Sequence, residues 1–266
     1  MSRSRSRSRS RGQDSASGRA ASSAGAHSPA HSPAHSPARP PARPPARPPL
    51  RVRRLGLVPY AEALSLQASL VEQRRDGRIG DQLLLLEHPH VITLGSSARE
   101  AHVLVGEEER RLLGIELYET GRGGDVTYHG PGQLIGYPIL DLKPDRCDLH
   151  RYMRDLEGVL IAALAELGLG ASRRDGLTGV WVEDRKIAAI GVRVSSRWIT
   201  SHGFALNVST NLRFFDAIVP CGIREHGVTS ISEALGRTVA PDDVADVVVD
   251  AFQHVFRRRP LAALTG

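Results

Sequence analysis

Apolar positions recur in two rhythms along most of this chain, and the rhythms predict its elements. Tyr60, Leu64, Ala68 and Val71 share a helical face, and that helix should stop near Asp76-Gly77. Leu83–Leu86 and Val91–Leu94 read as strands on either side of a His88-Pro89-His90 break, with further strands over Ile115–Glu119 and Leu134–Leu140. Asp148 is placed to cap a long amphipathic helix, with Leu149, Met153, Leu156, Leu160, Leu164 and Leu167 at helical spacing. Gly179–Glu183, Lys186–Val194 and Ile199–Val208 form a run of strands with short turns, which predicts an antiparallel meander. A last helix starts at Pro241 and carries Val244, Val248, Ala251 and Val255 on one face. This mixture fits one α+β domain better than a regular βαβ alternation.

The first fifty residues keep neither rhythm. Residues 2–11 alternate Arg and Ser, 27–38 repeat His-Ser-Pro-Ala, and 38–49 repeat Ala-Arg-Pro-Pro. Such repeats lack the apolar residues that offset ordering entropy, so 1–50 is expected to be a disordered tail and 51–266 the folded domain. The tail has the Arg and Ser content of a transit peptide but no amphipathic apolar face. Loose RNA binding is its other functional reading. It also distorts the charge: residues 1–54 hold 12 Arg and one acid, whereas the rest holds 23 basic and 28 acidic residues. The net +6 therefore belongs to the tail and does not mark a nucleic-acid-binding fold. Two cysteines in 266 residues exclude a disulfide scaffold, and the best apolar run, Val159 to Leu169, is broken by Glu166 and too short to span a membrane.

Three stretches stand out chemically. Residues 121–133 carry five glycines among Arg122, Asp125, Thr127, Tyr128, His129 and Gln133. They read either as tight turns flanking a short strand or as a loop whose backbone approaches a ligand closely, and they match neither a phosphate loop nor the dinucleotide fingerprint. In Pro220-Cys221-Gly222 the flanking residues favour an exposed thiol, although an unpaired cysteine is ordinarily a core residue. Cys147 lies between Asp145 and Asp148, whose charge disfavours a thiolate. The third stretch, Lys186-Ile187-Ala188-Ala189-Ile190-Gly191, is small and apolar, as is His202-Gly203-Phe204-Ala205-Leu206-Asn207 on the next strand; together they are expected to wall a narrow apolar slot. Lysine is scarce: the chain has 33 Arg but only Lys143 and Lys186. Either these are remaining surface charges or lysine is kept where a titratable amine is needed. No metal is indicated, since His88 and His90 flank a loop proline, and His202 and His226 read as hydrogen-bonded structural residues.

Taken in order, Arg122-Gly-Gly-Asp-Val-Thr-Tyr-His129 continuing into Gly-Pro-Gly-Gln133, Lys186 to Gly191, His202 to Asn207 and Pro220-Cys-Gly222 resemble the motifs of the lipoyl(octanoyl) transferase family. The resemblance covers roughly residues 55–258, and Phe204 departs from it, where a smaller aliphatic residue is usual. It implies a single α+β domain of the biotin ligase and lipoate–protein ligase type, with a central mixed, largely antiparallel sheet flanked by helices. It also implies cytoplasmic transfer of octanoyl from acyl carrier protein to a lysine of lipoyl domains in 2-oxoacid dehydrogenase complexes and the glycine cleavage H protein, with no cofactor. Cys221 would carry the acyl thioester and Lys186 would lower its pKa. Arg122, Gly123, Gly124, Asp125, Val126, Thr127, Tyr128 and His129, with Ala189, Ile190, Gly191, Gly203, Phe204 and Ala205, would bind the substrate. The rival readings are an ATP-dependent lipoate or biotin ligase on the same fold, and a non-catalytic protein that uses its Arg-rich tail.

Overall fold

The computed structural model describes residues 49–219 and 226–260; the tail through Pro48 and the Pro220-Cys221-Gly222 motif lie outside the described residues. Strand β1 (Pro49–Leu57) leads into helix α1 (Tyr60–Arg75), followed by β2 (Asp81–Glu87), β3 (Val91–Leu94), α2 (Glu107–Leu112), β4 (Glu116–Glu119), β5 (Val126–His129) and β6 (Gln133–Ile139). Then come α3 (Leu149–Glu166), β7 (Ser172–Arg174), β8 (Leu177–Val182), β9 (Arg185–Val194), β10 (Thr200–Asn207), α4 (Ile231–Leu235), α5 (Pro241–Val255) and β11 (Arg259–Pro260). Eight strands form one sheet in the order β11-β1-β2-β6-β10-β9-β8-β7, in which β1 runs parallel to both neighbours and every other pair is antiparallel. This is the mixed, largely antiparallel sheet that the family resemblance implies. A smaller sheet, β4-β3-β5, lies apart from it.

The large sheet is buried on both faces, which explains the unbroken leucine run of β2. Leu83 and Leu85 join Leu134 in the core formed with α3 and α5, while Leu84 and Leu86 join Ile135, Tyr137 and Ile139 against Ala63 and Leu70 of α1. Asp148 caps α3 as expected, its side chain accepting from Arg151 N–H at 3.1 Å. Among the described residues no helix is long and apolar enough to cross a membrane.

Two expectations need correction. The buried face of α1 is Tyr60, Ala63, Gln67 and Leu70, not the stripe through Leu64, Ala68 and Val71. The stripe is displaced because Gln67 is buried for a polar reason, accepting the backbone N–H of His202 at 2.8 Å. Strand β1 is the second. Its Arg-rich sequence resembles the tail, yet Leu50 is buried, and Leu50 to Arg54 pair in register with Asp81 to Leu85. Pro49 and Leu50 are thus part of the sheet, and the first motif-free residue that can be lost lies before them.

A sharp truncation boundary follows. A chain beginning at Arg47 should melt within a few degrees of the full-length protein. One beginning at Leu55 loses the central part of β1, including the buried Leu50, worth ~1.5–3 kcal/mol by itself, and exposes the edge of β2. It should melt at least ~5 °C lower. Equal melting temperatures for the two truncated chains would contradict the structural role of β1.

Candidate functional site

The glycine-rich stretch is a loop followed by β5, and it is held on several sides. Ser96 N–H donates to Arg122 O at 2.9 Å, Ser97 N–H to Gly124 O at 3.1 Å, and Gly123 N–H to Val192 O of β9 at 2.9 Å. Asp125 accepts from His102 Nδ1–H at 2.5 Å and from the Arg99 backbone at 3.2 Å. The Arg122 side chain is buried and donates to Thr93 O at 2.6 Å and Thr93 Oγ1 at 2.8 Å. Gly191 permits this close approach, because a Cβ there would lie 3.0 Å from Gly123 O and 3.1 Å from Arg122 Cδ.

Between this loop, β9, β10 and the start of α1 lies a cleft of about 470 Å³, including its open mouth. Arg122, Gly123, Gly124, Asp125, Thr127, His129, Ala189, Ile190, Gly191, Gly203, Phe204 and Ala205 line it. The strand register sets small residues side by side in its lining: Ala189 pairs with Ala205, and Gly191 with Gly203. The other two members of the glycine-rich motif do not line it. Along β5 the side chains alternate, and Val126 and Tyr128 turn into the core beneath the small sheet with Ile92 and Phe215. Phe204 borders the cleft but does not fill it. Its ring packs in the core under α3 and α5, above Gly136, where a Cβ would come within 2.1 Å of the ring. A glycine on the neighbouring strand therefore accommodates the larger side chain on the face away from the cleft.

Two further spaces continue the cleft toward Lys186. One, about 920 Å³, shares Gly123, Gly124, Asp125, Ile190 and Gly191 and is also lined by Leu149, Met153, Leu177 and Lys186. The other, about 310 Å³, shares Thr127, Ala189 and Ala205 and includes Gln133, Asn207 and Lys186. The result is an apolar corridor along β9, with Lys186 at one end and Gly191 at the other. Lys186 is 8 % exposed and pairs with no carboxylate among the described residues. Its Nζ lies 4.9 Å from the centre of the Trp181 ring, a cation–π contact. Gly179, at φ +130°, makes room for it, since a Cβ there would be 3.3 Å from Lys186 Cε. The Lys186 backbone is clamped to the segment after the cysteine motif: its N–H donates to Gly227 O at 2.9 Å and its carbonyl accepts from Thr229 N–H at 3.0 Å. Before that motif, Val219 N–H donates to His102 O at 2.8 Å. Cys221 itself lies outside the described residues. Cys147 is exposed, with Sγ 3.8 Å from Leu142 O.

A polar network backs the corridor. His129 Nδ1–H donates to Gln133 Oε1 at 2.8 Å, Gln133 Nε2–H to Asn207 Oδ1 at 2.9 Å, and Asn207 Nδ2–H to Thr229 O at 2.9 Å, next to the Lys186 backbone. Burial is the main force holding His129 neutral, with its pKa down to about 3, and the neighbouring His88, Arg122 and His202 add to it. His88 is pushed down to about 4 by burial, donating from Nδ1 to Val58 O at 2.7 Å and accepting from the Tyr137 hydroxyl at 2.8 Å. Burial raises Tyr60 to about 12 and Tyr137 well above the ordinary phenol value. Tyr60, Tyr137 and His202 also line the cleft. Sequence reasoning missed the two tyrosines, which stand alone at the start of α1 and within β6. His202 and Asn207 sit inside a motif already singled out, and that was the available signal.

The family model for the lipoyl protein ligase A/B catalytic domain matches residues 59–253. The chain is 58 % identical over 208 residues to an octanoyltransferase of Rubrobacter xylanophilus, covering 77 % of this chain and 93 % of that one. It is 51 % identical over 205 residues to an octanoyltransferase of Solibacter usitatus, covering 77 % and 92 %. Among solved structures, a lipoate-protein ligase A bound with ATP superposes with a TM-score of 0.62 at 19 % identity, covering 81 % of this chain and 90 % of that one. A bipartite lipoate protein ligase of Thermoplasma acidophilum gives 0.59 at 18 % identity, covering 80 % and 88 %. At these identities the structures establish the fold alone.

Proposed function

The chain belongs to the lipoyl protein ligase A/B catalytic family and, within it, to the octanoyltransferases; from that premise we propose that it works through an acyl thioester on Cys221, with Lys186 as the assisting base. The donor is octanoyl-acyl carrier protein. The acceptors are lipoyl domains of 2-oxoacid dehydrogenase complexes and the glycine cleavage H protein, and the reaction is cytoplasmic. The observation that carries this reading is the corridor along β9: small residues paired side by side on β9 and β10 leave space over the sheet, and a buried lysine without a carboxylate partner among the described residues stands at one end.

The chemistry proceeds in two balanced steps. The Cys221 thiolate attacks the thioester carbonyl, the new C–S bond forms, and the carrier's thiol leaves with the proton. A lysine amine of the lipoyl domain then attacks the enzyme thioester, giving an amide and returning Cys221 as a thiol. Thioester to thioester is nearly isoenergetic and thioester to amide is strongly downhill, so neither step requires ATP. A thiol of pKa ~8.5 is only a few per cent thiolate at pH 7, and a nearby ammonium raises that fraction. The same lysine, once neutral, can take the proton of the attacking amine. The Gly123–Asp125 loop, Thr127, His129, Ala189 to Gly191 and Gly203 to Ala205 hold the acyl chain; Val126 and Tyr128 support the loop from the opposite face.

The test is transfer in the absence of nucleotide. Purified protein, octanoyl-acyl carrier protein and an apo lipoyl domain should yield octanoylated domain without ATP, and added ATP with free octanoate should yield none. The reverse pattern would make the chain a ligase.

A further inference from the structure

Near its start, strand β9 carries one residue more than the strand beside it. Val182 pairs with Arg185 and Trp181 with Lys186, but Val180 pairs with Ala188, so Ile187 is the extra residue of a β-bulge. In unbroken alternation Lys186 would share the face of Ala188, which lies with Val180 in the core under α3 and α5. The bulge instead sets Lys186 on the opposite face beside Trp181, because residues paired across strands share a face. There the two side chains meet. Nζ lies 4.9 Å from the centre of the indole ring, and the lysine stem passes Gly179, where a Cβ would lie 3.6 Å from Lys186 Cδ. The indole is itself fixed: Trp181 is 1 % exposed, the Arg174 guanidinium lies 5.0 Å over its ring, and His226 meets it edge-on at 5.4 Å. Arg174 is held in turn by pairing with Asp184 and donating to Glu183 O at 3.1 Å. Trp181 Nε1–H has no hydrogen-bond partner among the described residues. A buried donor left unsatisfied calls for an explanation, and the contact with Lys186 supplies one.

We propose that Trp181 is the positioning residue of Lys186: its ring face, in place of a carboxylate, holds the ammonium at the end of the corridor. This rests on the reading above, in which Lys186 assists the acyl thioester, and Trp181 acts only through it. The choice of partner suits that role. A carboxylate at hydrogen-bond distance would bind the ammonium strongly and cancel the field that favours a thiolate nearby. A ring face attracts the cation without adding a negative charge or an acceptor for its proton, so both the charge and the proton of Nζ stay available to the reaction. The hold is also directional, because the ring quadrupole is negative over the face and positive at the edge.

The scarcity of lysine makes the contact directly observable. The full chain carrying isotope-labelled lysine gives two sets of side-chain resonances, for Lys143 and Lys186, and Lys143→Arg assigns them. The Lys186 methylene next to Nζ should resonate upfield of that of the exposed Lys143, because a ring face shields what lies over it, and Trp181→Leu should remove the displacement. In Trp181→Leu, kcat for octanoyl transfer should fall on the order of 10- to 30-fold with KM for both substrates unchanged, the span of a desolvated cation–π contact. Trp181→Phe keeps a ring face and should recover most of that loss. In a Lys186→Met background, Trp181→Leu should cost nothing further, whereas general damage to the fold would slow both backgrounds alike. The wild-type spectrum and Trp181→Phe keep the test decisive if Trp181→Leu folds poorly. A wild-type Lys186 resonance that coincides with that of Lys143, a Trp181→Phe variant as slow as Trp181→Leu, or a loss that persists in full without Lys186 overturns the positioning role. Wild-type rates in Lys186→Met overturn the role of Lys186 on which it rests instead.

Discussion

Cys221→Ala should abolish the acyl adduct and lower turnover by more than ~10⁴-fold, while Cys147→Ser should leave both nearly intact. A nucleophile that forms a covalent intermediate cannot be partly replaced by its neighbours, and removing one typically collapses catalysis to what binding and polar stabilisation alone supply. The chain has one other thiol, and its setting is wrong for the task. Cys147 is exposed on the loop before α3, between Asp145 and Asp148, away from the corridor lining. Peptide mapping of trapped enzyme distinguishes the two. An adduct that persists in Cys221→Ala, or maps to Cys147, would transfer the nucleophile's role and with it the mechanism.

Lys186→Arg should slow transfer to the lipoyl domain by at least ~10², the lower bound for losing a general base. Both side chains are cationic and both can stack on the Trp181 ring, so some acyl-enzyme should still form. Only lysine can shed its proton to receive one from the attacking amine. The space is also cut to lysine, because Gly179 approaches its side chain closely and a forked guanidinium needs more width. Lys143→Arg is the control, an exposed residue at the other end of the lysine count, and should be silent. Single-turnover kinetics of the two half-reactions read both variants. Near-wild-type transfer by Lys186→Arg would reduce this lysine to its charge, and equal damage from Lys143→Arg would remove the argument from scarcity.

The elements that sequence reasoning located are those whose burial is dense and apolar. Helices α3 and α5 appear where the spacing puts them because their apolar stripes face one core, and β2 and the β8–β10 meander because apolar residues run through strands packed on one or both faces. The failures have polar causes. Strand β1 was hidden by arginines that lie on a sheet rather than in a tail, and the buried stripe of α1 was misread because Gln67 is committed to the backbone of β10. The site divides the same way. Small residues paired across β9 and β10 were legible as a slot, since alternation alone places Ala189 and Gly191 on one face. Alternation also excludes Val126 and Tyr128, once β5 is known to be a strand. Tyr60 and Tyr137 come from elements 77 positions apart, and only the packing of α1 on the sheet brings them to one cleft. The face of Lys186 depends on a one-residue bulge that no hydrophobic pattern records.

The most direct test of the central claim is the intact mass of the full chain after mixing with octanoyl-acyl carrier protein without nucleotide, followed by addition of an apo lipoyl domain. The account predicts one octanoyl adduct, located on the peptide containing Cys221, that disappears as the lipoyl domain gains the same mass. Octanoylation of the lipoyl domain by a protein that never carries the adduct, or only when ATP is supplied, would contradict it.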